Sequence, residues 1–361
     1  MDRHTTNQYQ PDSVSPPGDT LRDILEERHI SQADLALRMG RPKKTISEIM
    51  NGKAPVTHET ALQLELVLGV SAEFWNMRET HYREFLARTD QEAELAAHRD
   101  WARNFPSKQM ADLGFIPKVK EPEDEVRYLL RFFGVSSPAQ WEEVNNKYEV
   151  AFRKSTSVQA NPYALSAWLR AGQVEAESMR LGDYDVEAFK DCLTAARALT
   201  TENPETFQPA LKTSCAAAGV GVAFVPQLPK SAVSGATRWL SPDQALIQLS
   251  LRYKTNDHLW FTFFHEAAHV LLHGKRQIFL ENGASDDEFE KEADRWAADF
   301  LIPRPAFDEM SRWSRYSTDN IVGMARELGI APGIIVGRLQ HEGRLPYTHL
   351  NKLKVRLRWS S

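Results

Sequence analysis

The chain has 361 residues, 42% of them hydrophobic and 26% charged, with a formal net charge of −5. That length is enough for two or three domains with their own cores, the mild acidity does not mark a general nucleic-acid binder, and no apolar run reaches the roughly 18 residues that a spanning helix needs. Cys192 and Cys215, the two cysteines, have no close-spaced partner in the sequence, which argues against a disulfide scaffold or a cysteine metal site and for a reducing, cytoplasmic setting.

Residues 1–18 are polar and proline-bearing, and read as a disordered arm rather than as a secretory signal. From Asp19 the chain breaks into short, well-punctuated helices. "DTLRDILEERH" sets Leu21, Ile24 and Leu25 at helical spacing, and "SQADLALRM" opens on Ser31 as a cap and closes at Gly40. "PKKTISEIMNG" offers Pro42 as a first-turn residue, an inner face of Ile46, Ile49 and Met50, and a stop at Asn51-Gly52. In "THETALQLELVLG", Thr57 is the expected cap and Leu62, Leu66 and Val67 the expected inner face. The result is a compact bundle of short helices.

A longer amphipathic helix or pair follows from Ser71, and Tyr128, Leu129, Phe132 and Phe133 precede Gly134 in another helical segment. "GVGVAFVP" and "QALIQLSLR" are the strand candidates, so a small sheet is expected before residue 261. "SGATRWL" reads as an edge strand, either a plain structural edge or one that pairs with an extended substrate. Arg338 is expected to be buried against a carboxylate, and the basic tail "NKLKVRLRWSS" to be a solvated end.

The chemistry concentrates in "FTFFHEAAHVLLHGK", residues 261–275. Residues four apart share a helix face, so His265 and His269 can bind one metal ion. Two neutral imidazoles suit zinc, and a hydrolytic site needs one more protein ligand. Glu266 lies beside the ligand line, where a carboxylate can take a proton from water as it attacks a carbonyl. Phe261, Phe264, Ala268 and Leu272 would fasten the helix inside, and His273 reads as a helix-end residue favourable near the C-terminal dipole.

Downstream, "DDEFEKEADRWAADFLIP" places Glu290 and Asp294 on one face of a second helix. Glu290 is the expected third ligand, with Glu292 as its alternative, and Asp294 can hold the tautomer of a ligating histidine from behind. Zinc is the expected ion, although a site of two histidines and one carboxylate also accepts manganese.

"FTFFHEAAHVLLHG" followed by "EKEADRWAADFLIP" resembles the ImmA/IrrE family of zinc-dependent peptidases, a likeness that extends over about residues 155–345. The resemblance implies a small sheet beside an active-site helix and proteolysis of a regulatory protein such as a repressor. It also implies His265, His269 and Glu290 as ligands and Glu266 as general base.

Residues 19–76, from "LRDILEERHISQADLALRMGRPKKTISEIMNG" to "VSAEFW", resemble the Xre/Cro helix-turn-helix family and its HigA-type antitoxin branch. That resemblance implies a double-stranded DNA operator as partner, bound as a homodimer. Gln32 would sit near a phosphate, Arg38 and Arg41 beside the DNA backbone, and Lys43, Lys44 and Ser47 on the exposed face of the recognition helix. Pro42 stands where the family usually has a serine or threonine cap, a loss of about 1 kcal/mol locally.

The two resemblances imply a mainly α fold with a small sheet, α+β, in four parts. These are an arm at 1–18, a helix-turn-helix domain at 19–82, a helical connection at 83–154 and a zincin-like domain at 155–361. The expected function is a DNA-binding regulator carrying a metalloendopeptidase. The alternative is a HigA-type antitoxin, with a toxin partner, whose metal domain is a sensor or docking module without turnover. No membrane partner is expected.

Overall fold

The computed structural model describes residues 14–145, 161–274, 279–281 and 288–359. Residues 1–13 of the expected arm, and the expected boundary at 154/155, lie outside them. The chain divides into two compact units, Met1–Ala97 and His98–Ser361.

The first unit is all helical: α1 (Pro17–Glu27), α2 (Gln32–Met39), α3 (Lys43–Met50), α4 (His58–Leu68) and α5 (Ala72–Ala97). Helix α1 begins two residues before Asp19, with a proline at its start, where a missing N–H costs nothing. Ser31 Oγ accepts the Asp34 N–H and Gly40 closes α2 in the left-handed conformation, φ 65°. Pro42 is the N-cap of α3 rather than part of its first turn, and it makes no side-chain cap. Helix α5 runs unbroken through residue 82, so the break between units falls at Ala97.

The inner face of α4 differs from expectation. Ala61, Leu64 and Leu68 are buried, whereas Leu62 and Leu66 are 56% and 84% exposed. Leucines at 62, 64, 66 and 68 repeat every two residues and therefore appear on both sides of a 3.6-residue helix. The pattern alone therefore does not choose the buried side, which is the one that carries Ala61, Leu64 and Leu68.

The second unit begins with α6 (Arg99–Ala102), α7 (Ser107–Asp112), α8 (Pro122–Phe133) and α9, described at 138–145. Helices α10 (Pro162–Glu177), α11 (Val186–Ala198) and α12 (Pro204–Ala217) lead into a four-stranded sheet. Its strands are β1 (Val220–Phe224), β2 (Gly235–Ser241), β3 (Gln244–Leu249) and β4 (Phe279–Glu281), in the order β1-β3-β2-β4. β1 runs parallel to β3, and β2 antiparallel to both β3 and β4. Strand β2 is thus not an edge over Gly235–Thr237, where β4 pairs with it.

Alternation divides the sheet's two faces. Val220, Val222, Ala245, Ile247 and Leu249 join the main core with α13 (Asn256–Leu272). On the other face, Arg238 donates to the Leu169 carbonyl and Gln248 to the Trp168 carbonyl, both on α10. Helices α14 (Glu288–Leu301), α15 (Arg304–Ser311), α16 (Thr318–Leu328) and α17 (Pro332–His341) complete the unit. Cys192 and Cys215, far apart in sequence, come together with their Sγ atoms 3.1 Å apart as free thiols.

Two further expectations meet the structure here. Arg338 is nearly buried beside Glu342 at 2.9 Å. The tail is not a solvated end: Lys354 Nζ reaches the buried Asp257 carboxylate at 2.6 Å, and residues 355–357 pair with Lys254–Asn256 at the start of α13. No helix among the described residues is long and apolar enough to cross a membrane.

Candidate metal centre and helix-turn-helix

Helix α13 is apolar on nearly every side because the sheet, α14 and α17 all cover it. Trp260, Phe263, Phe264 and Ala267 are fully buried and anchor it, while Leu272 is 42% exposed. Each buried aromatic is worth about 1.5–3 kcal/mol, which offsets the cost of holding charged and polar groups in the interior. His265, Glu266 and His269 are among the most enclosed residues of the chain, at 1%, 0% and 1% exposure.

Helix α14 lies against α13 because its contact face is small. Ala293 and Ala297 have no exposed surface, and the Phe264 and Phe300 rings meet beside them at 5.2 Å. This approach carries Glu290 to the histidines. His265 Nε2 lies 3.1 Å from Glu290 Oε2 and 3.0 Å from His269 Nε2, and His269 Nε2 lies 3.4 Å from Glu290 Oε1.

A tetrahedral ion with bonds of 2.0–2.1 Å needs ligand atoms about 3.3 Å apart, so the spacing and donor set fit zinc. The three side chains form a group able to hold a metal ion. Glu292 is placed elsewhere, with Oε2 3.3 Å from His273 Nε2.

Electrostatics favour the ligating forms. Burial pushes the His269 imidazole down to about 4, against the opposing pull of Glu290. Burial alone would raise the Glu290 carboxyl, but hydrogen bonds from His265 and His269 outweigh it and hold the group down to about 2. A metal needs this combination of neutral imidazole and ionised carboxylate. His265 Nδ1 meets Asp294 Oδ1 at 2.9 Å, a contact that would keep the ring proton on Nδ1 when an ion takes Nε2.

Sequence reading missed the strand that positions Glu266. Thr237 on β2 donates its hydroxyl to the Glu266 carbonyl at 3.0 Å. A Cβ at Gly235 would lie 2.6 Å from Glu266 Oε1 and 2.6 Å from Thr262 Cγ2, so the glycine leaves the space that the carboxylate fills. Gly235→Ala should therefore displace Glu266 and cost about 1–3 kcal/mol by overpacking. A lowered denaturation midpoint checks this, and an unchanged midpoint would show that the strand yields instead.

In the first unit, Lys43 and Lys44 are exposed at the start of α3. Ser47 is half-buried on the same helix, and its carbonyl accepts from Asn51 Nδ2 at 2.7 Å. Gln32 is half-buried at the start of α2, and Arg38 is exposed beside Asp34 at 2.8 Å. Arg41 is drawn onto α4, where it meets Glu59 at 3.2 Å and donates to Gln63.

Two imidazoles and a carboxylate converging from an HExxH helix and the helix after it are an arrangement that could hold a metal ion. Residues 222–340 match the model of the IrrE N-terminal-like domain, and residues 21–75 match the helix-turn-helix model. The chain thus joins a region that matches a helix-turn-helix model to a region that matches an IrrE N-terminal-like domain.

It is 36% identical over 59 residues to the uncharacterised HTH-type transcriptional regulator YddM of Escherichia coli, a match covering 16% of this chain and 63% of that one. It is 34% identical over 117 residues to a protein of Methanothermobacter thermautotrophicus named as an HTH-type transcriptional regulatory protein, covering 32% of this chain and 33% of the relative. The chain thus spans less than two thirds of the length of either relative. Among solved structures, a HigA-family addiction module antidote protein from Coxiella burnetii is 25% identical, with a TM-score of 0.21, over 23% of this chain and 91% of that one.

Proposed function

We propose that the chain is a DNA-binding regulator whose second unit is a zinc-dependent endopeptidase acting on a regulatory protein such as a repressor. The carrying observation is the convergence of His265, His269 and Glu290 beside a buried Glu266. A purely structural metal site has no use for a carboxylate there.

Bound zinc would supply Lewis acidity and make water more acidic. His265, His269 and Glu290 would hold it, and Asp294 would fix the orientation of His265. Glu266 would accept a proton from the attacking water and return it to the leaving amine. The burial of Glu266 keeps bulk water from competing for that proton. The test is incubation of the zinc-loaded full chain with repressors encoded near its gene. Cleavage that stops on adding a chelator supports the reading, and intact repressors under both conditions argue for the antitoxin-type alternative, in which the metal unit senses or docks.

For the first unit, the proposed partner is an operator read by a homodimer. Matched family and exposed Lys43 and Lys44 support it. Lys43→Ala and Lys44→Ala should each weaken operator binding uniformly and reduce the salt slope by about 1. Filter-binding or fluorescence titration across salt concentrations checks this. An unchanged slope removes that lysine from the phosphate contacts. Arg41, held by Glu59 and Gln63, would have to leave those partners to touch DNA.

A further inference from the structure

We propose that His273 and Glu292 are positioning residues for the metal centre, forming a relay that fixes the tautomer and ring orientation of His269. The proposal rests on the reading of His265, His269 and Glu290 as ligands and extends it to two side chains outside that set.

The geometry begins with the end of α13. Eight residues of helix would carry His273 about 12 Å along the axis from His265, too far to share an ion. The helix stops at Leu272, however, and His273 takes extended backbone, φ −110° and ψ 154°. Its ring comes back alongside the helix, and its Nδ1 lies 2.7 Å from His269 Nδ1. The His273 side chain is 1% exposed and the Phe289 ring packs on it at 4.8 Å, so the ring has little room to turn.

Proton assignment then follows from one requirement. If His269 offers the Nε2 lone pair to the metal, its proton must sit on Nδ1. The short contact makes His273 Nδ1 the acceptor of that proton, which leaves the His273 proton on Nε2. Nε2 faces Glu292 Oε2 at 3.3 Å, and a carboxylate can only accept. Every donor in the chain from His269 to Glu292 thus meets an acceptor. Asp294 does the same for His265 directly, so both imidazoles are held from behind, one by a carboxylate and one by a histidine-carboxylate pair. The dipole role first read for His273 needs a cationic ring. A cation would set its own Nδ1–H against the one His269 must carry.

The test is zinc affinity of the purified full chain, measured by competition with a chromophoric chelator. His273→Phe should lower the affinity about 10- to 100-fold, the usual cost of losing such a partner. Glu292→Ala should lower it by about 10-fold at most, and the double variant should fall no further than His273→Phe, because Glu292 acts only through His273. Asn places its Oδ1 where His has Nδ1, so His273→Asn should restore most of the affinity and make Glu292→Ala silent. A role in packing alone would not produce this rescue or this non-additivity.

His269→Ala distinguishes the two levels of failure. If it abolishes binding while His273→Phe and Glu292→Ala stay at wild-type affinity, the relay is overturned and the ligand reading stands. If His269→Ala binds zinc as wild type does, the ligand reading itself falls. Circular dichroism of the metal-free variants checks folding. Should His273→Phe not fold, Glu292→Ala decides, since its side chain is 58% exposed and leaves no cavity. Unchanged affinity in that variant overturns the proposal.

Discussion

Glu266→Gln should leave zinc bound at wild-type stoichiometry and lower cleavage of the regulatory substrate by about 10²- to 10⁴-fold, the range that a positioned proton acceptor contributes. The substitution is nearly isosteric, so the gap left by Gly235 still accommodates the side chain and the Thr237 contact to the backbone carbonyl is untouched. Glu266 lies outside the three-residue cluster of His265, His269 and Glu290, so the donor set for metal is unchanged. Only the capacity to take a proton is removed. Zinc content by atomic absorption, paired with single-turnover cleavage, separates the two effects. Equal cleavage by both proteins would remove Glu266 from the chemistry, and loss of zinc would mean that the carboxylate also holds the ion.

His269→Ala should have the largest effect on stability in the presence of metal. A ligand that binds only the folded state adds about 4 kcal/mol at a free concentration a thousand times its Kd. Wild type should therefore melt at a clearly higher temperature with zinc than without it, and the variant should show no such shift. The variant also removes one of the two hydrogen bonds that hold the Glu290 carboxyl down, so the metal-free protein should weaken as well. Thermal unfolding with and without zinc reads both changes. A full zinc-dependent shift in the variant would show that the ion is held without His269.

Much of this molecule was legible before folding, for local reasons. Ser31, Thr57, Gly40 and Gly134 mark helix ends through hydrogen bonding or backbone freedom within a few residues, and the helices begin and end there. The strands at Val220–Phe224 and Gln244–Leu249 follow from apolar runs bounded by turns. The HExxH spacing puts His265 and His269 on one helix face whatever surrounds them, and the acidic helix downstream supplies a carboxylate for that face.

What lies beyond local rules depended on packing between distant segments. Glu290 and Glu292 sit on the same helix, and the face that Glu290 shares with Asp294 favoured it without excluding Glu292. The close seat of Ala293 and Ala297 on α13 decides which meets the ligands and which meets His273. Leu62 and Leu66 looked inward by type and face outward by rotation. The stretch "SGATRWL" looked like an edge until β4, some forty residues later, paired with it. The sequence by itself determined the helices, their ends and the chemistry offered by α13. Only the tertiary structure decided between Glu290 and its alternative Glu292 at the histidine cluster, which glycine makes room for Glu266 and what lies behind His269, because these depend on the rotation and approach of elements that local hydrogen bonding does not control.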